Sequence, residues 1–219
     1  MRHSFAVFVA SVSLLLLGVP GAVAQNDQAA EVHLRNDCRL AAQVLTTGHP
    51  ANKTAWAMDF IGNCAHEGPA ALVKLWSEVG NDSARAEAVV DAASRVRDQR
   101  LADAATAIAK DVRKSDAVRL AAIILLVRYA DPHTGLAVSL LTPPISWQPG
   151  QNVRMIQGGR SPHAIPQVTG DVPLSSTFAN DVVATLRTLG EGDPSRRVQY
   201  VAAGLVARLN WDVSHGYLD

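Results

Sequence analysis

The chain has 219 residues, with 20 basic and 20 acidic side chains and a formal net charge of zero. Because a nucleic-acid-binding protein normally carries a basic excess, this balance argues against binding to DNA or RNA. Aromatic residues make up only 5% of the chain, whereas alanine is abundant in every helical stretch. This composition predicts close contact between helices rather than a core built around large rings.

The amino-terminal segment, residues 1–24, has the pattern of a secretory signal peptide. An uncharged apolar run follows Arg2, and residues 22–24 (Ala-Val-Ala) offer the small side chains that signal peptidase requires. A retained membrane anchor is the alternative, but the run is shorter than the roughly 20 residues of a membrane span. We therefore expect cleavage and a mature protein, residues 25–219, that is periplasmic or secreted and has no stable membrane anchor.

Apolar spacing and turn-forming residues together predict nine helices in the rest of the chain. They cover residues 28–46, 53–65, 68–79, 83–98, 100–111, 115–130, 133–141, 177–189 and 194–209. Two Asp-Pro pairs, at residues 131–132 and 193–194, supply the cap and first-turn residues typical of helix starts. No stretch shows the alternation of a regular strand, so the predicted fold class is all-α.

Three of these helical segments share one apolar pattern about thirty residues apart, beginning at Ala55, Ala86 and Ala117. Such a period is typical of stacked antiparallel hairpins, each of which buries its apolar stripe against its neighbours. We therefore predict an α-solenoid with one proline-rich insertion, and an irregular helical bundle is the alternative. Arg95, Arg97, Arg119 and Arg128 are expected on or near the solvent-facing sides of their helices.

One residue order in the helix at 115–130 resembles the second-helix signature of HEAT repeats. There a valine and an arginine precede a small residue and a leucine at helical spacing; here the order is Val118-Arg119, Ala122 and Leu125. A second copy, in which glutamine replaces the arginine, reads Val198-Gln199, Ala202 and Leu205. The resemblance covers most of residues 50–210. It implies an α-solenoid of the short-repeat variety, and because HEAT-type repeats mostly bind proteins, it also implies a protein partner.

Residues 142–176 depart from the repeat pattern. They hold six of the eleven prolines of the chain, so no helix is expected there. The segment has few charges and several large apolar side chains, unlike a typical disordered segment. We predict an ordered insertion that folds back on the helices. Residues 152–157 and 167–169 are candidates for a short pair of extended segments within it.

Cys38 and Cys64 are the only two cysteines. An antiparallel hairpin that turns near residues 47–52 would bring them to levels only about 6 Å apart along the helix axis. An extracytoplasmic compartment would favour their oxidation. We expect a disulfide, with two buried free thiols as the alternative; the spacing does not match a redox-active Cys-x-x-Cys motif.

The candidate binding site lies in the insertion. The histidines are scattered without metal-ligand spacing, so no metal is expected. Ser161-Pro162-His163 offers a serine beside a base, but no nucleophile elbow surrounds it, so neither catalysis nor a cofactor is expected. If the insertion forms a site, the residues predicted to contact a ligand are Trp147, Arg154, Arg160 and His163.

Two functions fit these observations. The leading hypothesis is a non-catalytic, secreted or periplasmic scaffold that binds a protein or peptide through one helical face, with the insertion shaping the site. The alternative is a small-molecule-binding protein or an enzyme, in which the insertion closes over a pocket. An open groove would favour the first function, and an enclosed pocket with convergent polar groups would favour the second.

Overall fold

The computed structural model describes the backbone of residues 20–134 and 164–214. Contacts divide the chain into two units, residues 1–34 and 35–219. Most of the predicted signal segment lies outside the described residues, and so does all but the start of the helix predicted at 133–141.

Eight α-helices and two short strands make up the described residues, so the prediction of a predominantly helical fold is confirmed. A short 3-10 turn, Ala51–Lys53, precedes the second helix. In chain order the elements are α1 (Pro20–Thr47), α2 (Thr54–Ile61), α3 (Glu67–Glu78), α4 (Ser83–Ala93), β1 (Val96–Arg97), α5 (Gln99–Lys110), α6 (Asp116–Ala130), β2 (Val168–Thr169), α7 (Phe178–Gly192) and α8 (Arg196–Ser214).

Side-chain caps fix where several helices begin. The Asp82 carboxylate accepts a hydrogen bond from the Arg85 amide at 3.0 Å, at the start of α4. The Ser115 hydroxyl accepts one from the Val118 amide at 3.4 Å, at the start of α6. Each cap satisfies one of the amides that a helix start leaves without an internal partner.

Within the unit of residues 35–219, neighbouring helices pack in pairs. Helix α5 contacts α6, and α7 contacts α8; across the pairs, α3 contacts α5, α4 contacts α6, and α6 contacts α8. Alanine is frequent at these contacts and lets the helix axes approach closely. The alanines that are fully buried include Ala57, Ala93, Ala102, Ala105, Ala121 and Ala202.

The helix predicted at 83–98 is too long. Helix α4 ends at Ala93, and Val96–Arg97 form strand β1 instead, paired in parallel with β2 in the register Val96 to Val168. The stretch 167–169 is extended as expected at its last two residues, but its partner is β1; residues 152–157 lie outside the described part. The helical pattern failed here because the partner strand comes from about seventy residues away in the sequence.

The expectation that Arg119 faces solvent is wrong, because this residue is only 1% exposed. Its guanidinium forms two hydrogen bonds with the Asp193 carboxylate, and its Nε donates to the Ala109 carbonyl at 3.0 Å. The Asp193 carboxylate balances the charge of the guanidinium, and the Ala109 carbonyl accepts a further hydrogen bond from it. A buried charge requires such a paired and hydrogen-bonded environment. Burial would raise the pKa of Asp193, but the hydrogen bonds from Arg119 and from the Ser195 amide outweigh burial and lower it.

The disulfide is confirmed. Cys38 in α1 and Cys64 after α2 are bonded, their Cα atoms lie 5.5 Å apart, and both residues are buried. A bridged pair is compatible with an extracytoplasmic location. No helix in the described ranges has the length and hydropathy that a membrane crossing requires.

Candidate functional site

The chain returns to the helices in a segment that we call the returning segment, residues 164–177. Backbone hydrogen bonds join the Val168 amide to the Arg95 carbonyl and the Gly170 amide to the Arg97 carbonyl, both at 2.8 Å. Farther along, the Gln99 amide donates to the Val172 carbonyl at 2.8 Å. The described end of the predicted insertion is therefore ordered and folded back on the helices, at the junction between α4 and α5.

Asp98, the N-cap of α5, is the buried anchor of this attachment. Its side chain accepts hydrogen bonds from the Val172 amide at 3.2 Å and from the Arg100 amide at 3.0 Å. The Arg100 guanidinium binds both carboxylate oxygens at 2.8 Å. Burial acts to raise the pKa of Asp98, but these donors together hold it below its ordinary value. The carboxylate is therefore a charged, fully bonded link between α5 and the returning segment.

Gly170 lies so close to Asp98 that no side chain fits there. A Cβ atom at residue 170 would lie 2.4 Å from Oδ2 of Asp98 and 2.8 Å from its Cβ. Glycine is therefore required by the close approach of the backbone to the carboxylate.

An exposed hydrogen-bonded pair of side chains extends the attachment toward α3. Nδ1 of His66, just before α3, lies 2.5 Å from Oδ1 of Asp171, and the Arg100 guanidinium lies 3.8 Å from the other carboxylate oxygen. The His66 side chain is 72% exposed. Because exposed pairs contribute little to stability, the buried contacts of Asp98 dominate the attachment.

A pocket of about 390 Å³ lies between the returning segment, the end of α6 and the start of α7. Its lining combines a guanidinium, hydroxyl groups and apolar side chains. The lining residues are Arg97, Tyr129, Ala130, Thr169, Pro173, Leu174, Ser175, Ser176, Phe178 and Ala179.

Tyr129 is a fixed part of the pocket wall. Its hydroxyl lies 2.9 Å from the Ala93 carbonyl oxygen and 2.5 Å from that of Val96. Its ring packs at a tilt against Phe178, with the ring centroids 6.3 Å apart. Burial raises the pKa of the Tyr129 phenol far above its ordinary value, so this side chain stays neutral and serves as rigid support.

Arg97 is the charged group of the pocket. It is half-buried in strand β1, and its Nη2 donates to the Tyr129 carbonyl at 2.9 Å. Its Nε is buried and has no hydrogen-bond partner among the described residues. In the part of the chain that the structure describes, no carboxylate lies within ion-pair distance of this guanidinium.

The lining offers hydrogen-bond donors beside apolar surface. Its described part contains an arginine, a tyrosine, a threonine and two serines, and no aspartate, glutamate, histidine or cysteine. Nor does any cluster of three potential metal ligands occur in the described residues. The guanidinium and the hydroxyls can donate hydrogen bonds to an anion or to a carbonyl group.

The four binding residues predicted from the sequence all lie outside the described residues, so the site predicted from Trp147, Arg154, Arg160 and His163 stays a prediction. Sequence reasoning missed Arg97, which fell inside a predicted helix. Its role depends on the pairing of β1 with β2, and no local pattern signals that pairing.

Comparison of the chain with protein-family models, with curated proteins and with solved structures finds no match to any of the three.

Proposed function

We propose that this protein is a non-catalytic helical-repeat scaffold of an extracytoplasmic compartment, which binds a protein or peptide at the returning segment. The observation that carries the proposal is the pocket beside Arg97. Its walls come from β1, α6, α7 and a returning segment that the buried Asp98 holds in place. A site with rigid walls and unpaired hydrogen-bond donors can bind a partner with little loss of conformational entropy.

The repeat part of the proposal, a HEAT-like α-solenoid, rests on the pairing of helices. Contacts between α3 and α5 and between α4 and α6 are those expected of two layers, in which equivalent helices of successive hairpins lie side by side. Antiparallel-type pairs, α5 with α6 and α7 with α8, would form the hairpins themselves. Stacks of this kind present long surfaces that usually hold another protein.

The extracytoplasmic part rests on two independent observations. Residues 1–24 have the pattern of a cleaved signal, and Cys38 and Cys64 form a disulfide. Disulfides persist in oxidising compartments and are rare in the cytosol of most organisms. A periplasmic or secreted location would account for both observations.

A small-molecule ligand is the second candidate, because the pocket volume of about 390 Å³ falls within the usual range for such sites. In that case the ligand would occupy the pocket alone, and no protein partner would be needed.

A crosslinking pull-down tests the scaffold proposal. The processed protein would be incubated with the extracytoplasmic fraction of its source cells, alongside the variant Ala179→Phe, which fills the pocket. The matched control is Ala184→Phe, an exposed alanine on the same helix. We expect one protein partner that wild type and A184F capture and A179F does not.

Capture of the same partner by A179F would contradict the proposal, and so would the absence of any captured protein. Native mass spectrometry of the purified protein then tests the second candidate function, the binding of a small molecule. A bound small molecule in wild type and A184F that is absent from A179F would identify the pocket as a small-molecule site.

A further inference from the structure

Three arginines among the described residues each bind an aspartate through two nitrogen atoms. Arg100 binds Asp98, and Arg113 binds Asp111, in each case through Nε at 2.8 Å and through Nη2 to the other oxygen. The buried Arg119 likewise forms two bonds with an aspartate. In these three side chains an aspartate balances the charge of the guanidinium.

Arg97 differs from these three arginines. Among the described residues, it donates one hydrogen bond, to a main-chain carbonyl, and its buried Nε has no partner. Among the described side chains no carboxylate pairs with it, and residues 135–163, which lie outside the described part, contain no aspartate or glutamate. A half-buried charge without a counter-ion costs free energy. Since the surrounding strand and helix hold the guanidinium at a pocket, an anion from outside the chain would recover that cost.

We propose that the pocket is a carboxylate-binding subsite, in which Arg97 binds a carboxylate of an extended peptide, either its C-terminal group or the side chain of an aspartate or glutamate. This inference rests on the proposed peptide-binding function and names the group that is recognised. A carboxylate matches the planar, two-pronged donor set of a guanidinium.

The rest of the lining fits the same ligand. The hydroxyls of Thr169 and Ser176 can donate to carboxylate or main-chain oxygens, while Leu174 and Phe178 offer apolar surface to a neighbouring side chain. The described lining carries one positive charge and no negative one, so a single carboxylate neutralises it. A phosphate dianion would bring an extra negative charge that no second basic group among the described lining residues balances.

The test uses three sets of N-acetylated hexapeptides attached to beads through a lysine side chain at their first position. The first set has a free C terminus and no aspartate or glutamate, the second is amidated and carries one of these residues near its end, and the third is amidated and has neither. Full-length processed protein, fluorescently labelled at its amino terminus, is incubated with each set. We expect capture by the first or the second set, and at least tenfold less by the third.

Three variants assign any capture to the pocket. Arg97→Gln removes the charge, whereas Ala179→Glu supplies a carboxylate at the pocket wall and leaves Arg97 in place; both are expected to lower capture at least tenfold. The matched control for the added charge is Ala184→Glu on the same helix, which should bind like wild type. Circular dichroism and urea unfolding establish that each variant is folded, and A179E carries the test if R97Q is not.

Equal capture of the third set, capture that persists in A179E, or no capture of any set by wild type would overturn the subsite. The first and second sets tell whether the terminus or a side chain supplies the carboxylate. If R97Q and A179E retain a protein partner in the pull-down, the scaffold proposal is supported and the carboxylate subsite is contradicted. If the pocket captures peptides but no protein partner is found, the subsite is supported and the scaffold proposal is contradicted.

Discussion

At the scale of single residues, the buried charges decide which loops are fixed. Asp98 is the N-cap of α5, whereas Asp193 directly follows α7. Both bind an arginine, yet they join different parts of the fold. Asp98 attaches the returning segment to α5, and Asp193 attaches the loop before α8 to Arg119 in α6. Each carboxylate combines backbone and side-chain donors, so its removal would free several groups at once.

Replacing Arg119 by alanine should lower the free energy of unfolding by about 3–5 kcal/mol, because Asp193 would remain buried as an unpaired charge. The control is Arg113→Ala. Arg113 also binds an aspartate, but its side chain is 87% exposed, and no measurable loss is expected. Urea unfolding followed by circular dichroism measures both. Similar small losses in the two variants would show that burial of the Arg119 pair has no energetic consequence.

Acid should weaken the fold in part through Asp98. Its pKa is lowered in the folded protein, so its contribution to stability is present above the ordinary carboxyl value of 3.8 and is lost as pH falls toward the lowered value. Below about pH 4, the free energy of unfolding of wild type should therefore fall more steeply than that of Asp98→Asn. Urea titrations at pH 7, 5, 4 and 3 measure how the free energy of unfolding of wild type and of Asp98→Asn changes with pH. Equal slopes would mean that Asp98 has the same affinity for protons in the folded and unfolded states.

At the scale of elements, the attachment of the returning segment is the feature that local sequence could not predict. The apolar period of α4 continues past Ala93, and only the pairing with Val168 and the hydrogen bonds to residues 95 and 97 turn the chain into a strand. By contrast, α3, α5 and α6 lie within a residue or so of their predicted ranges. Local signals mark them, such as the capping residues Asp98 and Ser115 at the starts of α5 and α6.

Gly170→Ala should destabilise this attachment by about 1–3 kcal/mol, because its Cβ would overlap the buried Asp98 carboxylate. Gly192→Ala is the matched control. A Cβ at residue 192, at the end of α7, meets no atom within 4 Å, so that change should be neutral or slightly stabilising. Thermal unfolding compares the two. A G170A protein as stable as G192A would show that the returning segment can move away from Asp98 at no cost.

The disulfide belongs to the same scale, since it links α1 to the turn after α2. It closes a loop with a sequence separation of 26 residues, and chain-entropy arguments give such a loop about 3 kcal/mol of stabilisation. We expect the free energy of unfolding of the double variant Cys38→Ser/Cys64→Ser to be lower than that of wild type by about that amount. A reducing agent should lower the free energy of unfolding of wild type by a similar amount. Unfolding curves with and without reductant measure it. A wild type insensitive to reductant would contradict the prediction.

At the scale of the whole molecule, local patterns in the sequence predict the helical class and the disulfide. They do not predict features that depend on contacts between residues far apart in the chain. The helical class and the disulfide follow from spacing that can be read along the chain. The helical pattern predicts Arg119 on the solvent side, because an arginine on an apolar helix is usually exposed. Its partner Asp193 lies 74 residues away in the sequence, so no local pattern signals the pair. The site at Arg97 was missed for the same reason, since three separate elements and the returning segment build the pocket.

Export is the prediction that concerns the molecule as a whole. If residues 1–24 are a signal, the protein expressed in a bacterium should accumulate in the periplasm with the mass of residues 25–219 and an oxidised Cys38–Cys64 pair. Residues 30–37 of α1 are exposed, and the buried core begins at Cys38, so processing before Gln25 removes no described core contact. The stability of residues 25–219 should accordingly match that of a longer form.

The matched variant replaces Ala22 and Ala24 by leucine, which signal peptidase does not accept at its cleavage site. It should keep residues 1–24 and remain with the membrane fraction, while wild type is released. Intact mass spectrometry of the two fractions, with and without thiol alkylation, reads both processing and disulfide formation. A wild-type protein found in the cytosol with its full mass and two free thiols would contradict export and, with it, the compartment on which the proposed function depends.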